Sequence, residues 1–138
     1  MVRDVLLAKP GETVLITGDT SSDKRVMDAF AAAAYAIDAV PIVISYATAP
    51  CAVMDPPAPI EAAVEKADVW IEVSLSYIMH TKAFQKAIAA GVRYICLTGM
   101  DVEMLVKTVT RVNYDLMIEL GEHFKKILGE ADKIEVKS

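Results

Sequence analysis

The sequence predicts an α/β fold: a doubly wound, mostly parallel sheet of about five strands with helices on both faces. Three observations carry this. Short apolar runs alternate with stretches of helical period four times along the chain, the order of successive strand–helix–strand units. The runs are nearly continuous, as in strands buried on both faces. Hydrophobic residues make up 54% of the chain, above the roughly 45–50% of ordinary globular domains. The 138 residues fit one domain, large enough to bury a core without disulfide or metal staples.

Each element rests on local chemistry. Val5 to Ala8 reads as the end of a short helix, stopped at the Pro10-Gly11 turn. Thr13–Thr17 is the first strand, closing at Gly18-Asp19, and Thr20, Ser21, Ser22 and Asp23 all offer N-caps for the next helix. That helix repeats Val26, Phe30, Ala33 and Ile37. It ends near Asp38, before Pro41. Ile42–Tyr46 is the second strand, and the Pro-rich loop through Asp55-Pro56-Pro57-Ala58-Pro59 is stiff and extended. Ile60, Ala63, Val64 and Ala67 mark a short helix before the third strand, Val69–Val73. Thr81 caps a helix with Phe84, Ala87 and Ile88 inward, stopped by Gly91. Val92–Leu97 is the fourth strand, with a helix around Val102–Val109 after it. Asn113 caps a last helix carrying Met117, Leu120, Phe124 and Leu128 on one face and ending at Gly129. Lys133–Lys137 alternates and reads as a fifth, half-exposed strand.

Composition excludes several classes. The net charge is −5 with both signs interspersed, so the electrostatic footprint of a nucleic-acid binder is missing. No run reaches the about 18 apolar residues of a membrane span, and the Met1 end does not resemble a signal peptide. Cys51 and Cys96 are the only cysteines; one lies in the Pro-rich loop and one inside a strand, which fits a reducing cytoplasm without a disulfide framework.

The candidate chemistry sits where strands run out, because open α/β sheets bind ligands at their carboxyl edge. The third strand leaves through Ser74-Leu75-Ser76-Tyr77-Ile78-Met79-His80-Thr81. His80 is the candidate catalytic residue, an acid/base group or substrate hydrogen-bond donor beside a helix start, roles to which histidine is suited; its plainer reading is a capping or partly exposed histidine. Ser76, Tyr77, Ile78 and Met79 are the candidate substrate-binding residues, in a loop too apolar for a free surface; Ile78 and Met79 fit the core equally well. Gly18–Ser22 is neither a dinucleotide-binding turn nor a P-loop, and its hydroxyls read first as helix caps. A receiver-type phosphoacceptor site lacks its aspartate after the third strand, where Ser74 and Ser76 stand. A metal first shell is not expected within the chain: His80 and His123 are the only histidines, and no Cys-x-x-Cys or His-x-x-x-His occurs.

Several segments together resemble a known family. They are Lys9-Pro10-Gly11-Glu12-Thr13-Val14-Leu15-Ile16, Asp19 to Val26, Pro56 to Ala63, Ala67-Asp68-Val69, the Ser-x-x-x-His-Thr stretch from Ser76 to Thr81, and Gly91-Val92-Arg93. Their order and spacing resemble the N-terminal domain of the aminopeptidase T superfamily, which includes dihydroxypyridine ring-cleaving dioxygenases. The resemblance implies one half of a larger, two-domain, homo-oligomeric enzyme acting on a small-molecule or peptide substrate. It implies a divalent metal (iron, zinc or cobalt) whose ligands lie in a C-terminal domain beyond this chain. It also implies that the position of His80 faces the catalytic cleft in the dioxygenase branch, where it can move protons on the substrate. Asp38 departs from the family's glycine, a change that Asp tolerates in left-handed backbone. A free-standing ligand-binding module and a dimerisation platform are the alternatives outside this family.

Overall fold

The structure, a computed structural model, describes residues 1–51, 53–109 and 111–136. Four parallel strands, β1 (Thr13–Asp19), β2 (Val40–Tyr46), β3 (Val69–Glu72) and β4 (Arg93–Cys96), lie in the order β2-β1-β3-β4. Among the described residues α1 (Lys24–Tyr35), α2 (Ala58–Val64) and α3 (Lys82–Ala89) lie between the strands, α4 (Val102–Thr108) and α5 (Tyr114–Glu130) follow β4, and a 3₁₀ turn stands at Ile78–His80.

Side-chain alternation along the central strands divides the core in two. Val14 and Ile16 of β1 and Val69 and Ile71 of β3 pack with Val26, Met27, Phe30 and Ala34 of α1. The neighbouring positions Leu15 and Trp70 point the other way, to Ile60 and Val64 of α2 and Ala83 and Ala87 of α3. A continuous apolar run is what a strand needs when both faces are covered, and β1 and β3 are the two strands so placed. β2 lies at the sheet edge with Val40, Ile42 and Val43 partly in solvent, which is why Pro41 is tolerated inside it.

The caps resolve the open choices. Asp23 is the N-cap of α1, its carboxylate accepting from Arg25 N at 3.0 Å. Thr81 caps α3 and Asn113 caps α5 as their sequence positions predict. Asp38 adopts φ 58° and Gly91 φ 84°, the left-handed turns that end α1 and α3.

Three expectations are corrected. The sheet has four strands, not about five: Ile134, Glu135 and Val136 form no strand and Ile134 and Val136 are exposed, while Lys137 lies outside the described residues. Residues 5–8 form no helix: a turn over residues 2–5 and a bend at Leu6 stand there, with Val5 N and Leu6 N both donating to Met1 O. Gly129 does not end α5, which continues to Glu130 and has no buried residue. The face that carries Met117, Leu120, Phe124 and Leu128 is in solvent.

Candidate functional site

The chain moves from β1 to β2 on one side and returns to β3 on the other, so the carboxyl ends of β1 and β3 form a topological switch point, the place where open α/β sheets hold ligands. Here Asp19 stitches the two exits together. Its carboxylate accepts from Ser21 N (2.9 Å), from Ser22 Oγ (3.1 Å) and from Leu75 N (2.8 Å). Ser22 Oγ lies 3.0 Å from Val73 O, to which it can also donate. The Asp19 carboxylate and the Ser22 hydroxyl are thus spent on the fold, but the hydroxyls of this loop do not cap α1, whose N-cap is Asp23, and those of Thr20 and Ser21 turn to Thr48.

The open space lies next to this, between the segments that leave β2 and β3. A cavity of about 320 Å³ is lined by Tyr46, Thr48, Met54, Pro56, Pro57 and Ser76, among others. Its wall is stiffened by prolines and by Asp55, which accepts from Lys82 N at 2.8 Å and Ala83 N at 3.3 Å and so closes the start of α3. Thr20, Ser21 and Thr48 form a hydroxyl cluster nearby, with Thr48 Oγ1 2.9 Å from both Thr20 Oγ1 and Ser21 Oγ. The Tyr46 hydroxyl is buried and has no hydrogen-bond partner among the described residues. Burial pushes it up to about 12, with nearby Ser74 opposing the shift and the Glu72 and Asp19 charges adding to it. A neutral phenol in the wall of a mostly apolar cavity suits a small, largely apolar ligand.

Beneath this edge is a polar cluster that sequence reasoning missed. Glu72, the last residue of β3, is fully buried. It takes hydrogen bonds from Ser74 Oγ and, at 3.2 Å, from Tyr94 OH. Burial raises the Glu72 carboxyl above its usual range, against the opposing effect of Ser74, Cys96 and Tyr94. Burial likewise raises the Tyr94 phenol, whose ring packs 4.7 Å from Trp70 and 5.0 Å edge-on from Phe84. The signal was present: a single carboxylate inside the apolar run Val69-Trp70-Ile71-Glu72-Val73 must be paired, protonated or functional.

The loop after β3 places the predicted residues on two sides. Ser76 is buried and lines the cavity; Ile78 is fully buried in the core with Trp70, Ala83 and Ala87. Tyr77 and Met79 are exposed, as is Leu75, and His80 is exposed at the end of the 3₁₀ turn. So Ser76 joins the cavity with Tyr46, while Tyr77, Met79 and His80 face outward and do not line it. Among the described residues no three His, Cys, Asp or Glu side chains gather as a metal centre. Among the described residues, too, no helix is long and apolar enough to cross a membrane. In comparison with known proteins, no family model, no curated protein and no solved structure matches the chain.

Proposed function

We propose that this chain is the substrate-shaping α/β domain of a metal-dependent enzyme of the aminopeptidase T and dihydroxypyridine dioxygenase type, catalytically silent alone, with the metal and its ligands on a second domain. The observation that carries this reading is the cavity of about 320 Å³ at the carboxyl edge, between the exits of β2 and β3, with Tyr46 and Ser76 in its wall. Strand order that reverses between β1 and β3 supports a doubly wound domain with its ligand edge there. Ser76 and Tyr46 contact the substrate, a small molecule or peptide. Ile78 pins the loop to the core, so that Tyr77, Met79 and His80 are held toward the second domain; His80 is the acid/base or orienting group. The metal, iron, zinc or cobalt, supplies Lewis-acid or oxygen chemistry from outside this chain. The two free cysteines accord with a cytoplasmic enzyme.

The test begins with the intact mass of the native product from its source cells. A product longer by about one domain, with clustered His, Glu and Asp, supports the reading. In that enzyme His80→Ala lowers turnover by about 10²-fold with metal content unchanged. A product ending at Ser138, or full turnover by His80→Ala, overturns the respective part. The second reading is a free-standing module, favoured by the same cavity: it requires saturable binding of a small ligand by the 138-residue chain and no chemistry.

A further inference from the structure

We propose that the one hydroxyl proton of Ser74 switches between two acceptors, the Glu72 carboxylate and the Ser76 carbonyl, so that ionisation of Glu72 unties the cavity wall at Ser76. This goes beyond the domain reading and does not depend on it.

Ser74 and Glu72 are both fully buried. Ser74 Oγ stands within reach of Glu72 Oε1 and, at 3.2 Å, of the Ser76 carbonyl. A serine hydroxyl has one proton to give and two lone pairs to receive with, so it cannot donate to both at once. The state of the carboxyl decides between them. Tyr94 OH lies 3.2 Å from Glu72 Oε2, and burial raises its phenol, so it keeps its proton and donates there. A proton on Glu72 therefore sits on Oε1, facing Ser74 Oγ. Glu72 then donates to Ser74, and Ser74 to the Ser76 carbonyl. When Glu72 loses that proton, the charged carboxylate is the stronger acceptor. Ser74 turns to it, and the Ser76 carbonyl loses its donor.

The groups around Glu72 leave the choice to this proton. On β4, Cys96 lies opposite it, with Sγ 3.0 Å from Thr98 Oγ1. On β1, Thr17 lies opposite it and is engaged by the Trp70 indole. Tyr46, at the end of β2, feels the charges of both Glu72 and Asp19. The helices α2 and α3 turn Ile60, Val64, Ala83 and Ala87 to this core, while Lys86 pairs with Glu61 and Glu65. None of the groups that face the carboxyl is a cation, and burial raises it above its usual range.

The change is confined by two fixed points. Leu75 N is held by Asp19 Oδ2 at 2.8 Å. Further on, the buried Ile78 accepts at its carbonyl from Thr81 N at 2.9 Å and Thr81 Oγ1 at 2.6 Å. Only Ser76 and Tyr77 lie between them. Ser76 is part of the cavity wall, so the wall is tied there while Glu72 is neutral and released once it is ionised.

Nuclear magnetic resonance of the isotope-labelled chain, titrated from pH about 4 to about 9, tests this. The readouts are the Glu72 carboxyl carbon and the Tyr77 amide nitrogen, whose shift reports the hydrogen bond on the Ser76 carbonyl. In the wild type the two shift together, with one midpoint above 4.5. Glu72→Gln, which donates to Ser74 as the neutral acid does, holds Tyr77 at its acid-side position throughout. Ser74→Ala removes the shared proton, so Glu72 still titrates and Tyr77 no longer follows. Where one variant fails to fold, the other decides together with the wild type. A flat Tyr77 in the wild type, a Tyr77 that still follows Glu72 in Ser74→Ala, or a Glu72 carbon that does not titrate in this range each overturns the proposal.

Discussion

The carboxylate of Asp19 accepts the backbone N–H of Leu75 at 2.8 Å, joining the end of β1 to the loop that leaves β3. This tie crosses the point where the sheet reverses direction, and it sets where the segment from Ser76 to His80 begins. Ser76 turns into the cavity wall because the residue before it is fixed.

Asp19→Ala removes an acceptor shared by Ser21 N, Ser22 Oγ and Leu75 N. A cost of about 1–2 kcal/mol is expected, because three part-buried donors lose their acceptor and two of them can turn to water. Urea denaturation reads the loss. Amide exchange at Leu75 reads its location: that amide should exchange faster in the variant well before global unfolding, and unchanged exchange there contradicts the tie.

Glu72 makes stability depend on pH in a definite sense. Its carboxyl is raised above the unfolded value of 4.5, chiefly by burial. The folded state therefore holds the proton more tightly than the unfolded chain. The stabilisation this gives is complete below the unfolded pKa and is lost as pH rises through the folded pKa. Glu72→Gln keeps the shape and removes the titration, so its urea midpoint should gain on the wild type as pH rises from about 4 toward about 8. A constant difference between the two across that range would falsify this account.

Trp70 Nε1 donates to Thr17 Oγ1 at 2.8 Å, between residues that are both fully buried. Trp70→Phe removes the donor and some ring volume, and Thr17→Val strands the indole N–H; each should cost about 1–3 kcal/mol. The double variant should cost less than the sum by about 1 kcal/mol, since the pair acts as a unit. Strict additivity in a thermal or urea double-mutant cycle would show the contact to be worth nothing.

His80 is exposed, so His80→Ala should leave the stability of the chain within about 0.5 kcal/mol of the wild type. The measurement is again the urea midpoint. A larger loss would show the imidazole to be part of the fold and withdraw it as a candidate acid or base.

Much of the fold was legible because local signals and burial pointed the same way. β1 and β3 read as apolar runs and lie at the sheet centre, Thr81 and Asn113 read as caps and cap, and Asp38 read as left-handed and is. Where a signal needed a distant partner, reading failed. The alternation at Lys133–Lys137 has the period of a strand, but Ile134–Val136 form none. The period of α5 marks an apolar stripe without saying what covers it. The candidate site was half visible: Ser76 and the outward His80 lie in one short stretch after β3, whereas Tyr46, Asp55 and Glu72 come from separate elements and share no motif.

By itself, then, the sequence determined the alternation of strands and helices, the caps and turns that bound them, and the residues able to be buried. These depend on interactions a few positions apart or on side-chain transfer from water, and both are local properties. Only the tertiary structure decided the order β2-β1-β3-β4, the inward turn of Ser76 and Ile78 against the outward turn of Tyr77 and Met79, and the gathering of Glu72 with Ser74 and Tyr94. Those outcomes depend on which segments pair across tens of residues. That choice is made by packing the whole sheet, and no short stretch of chain contains it.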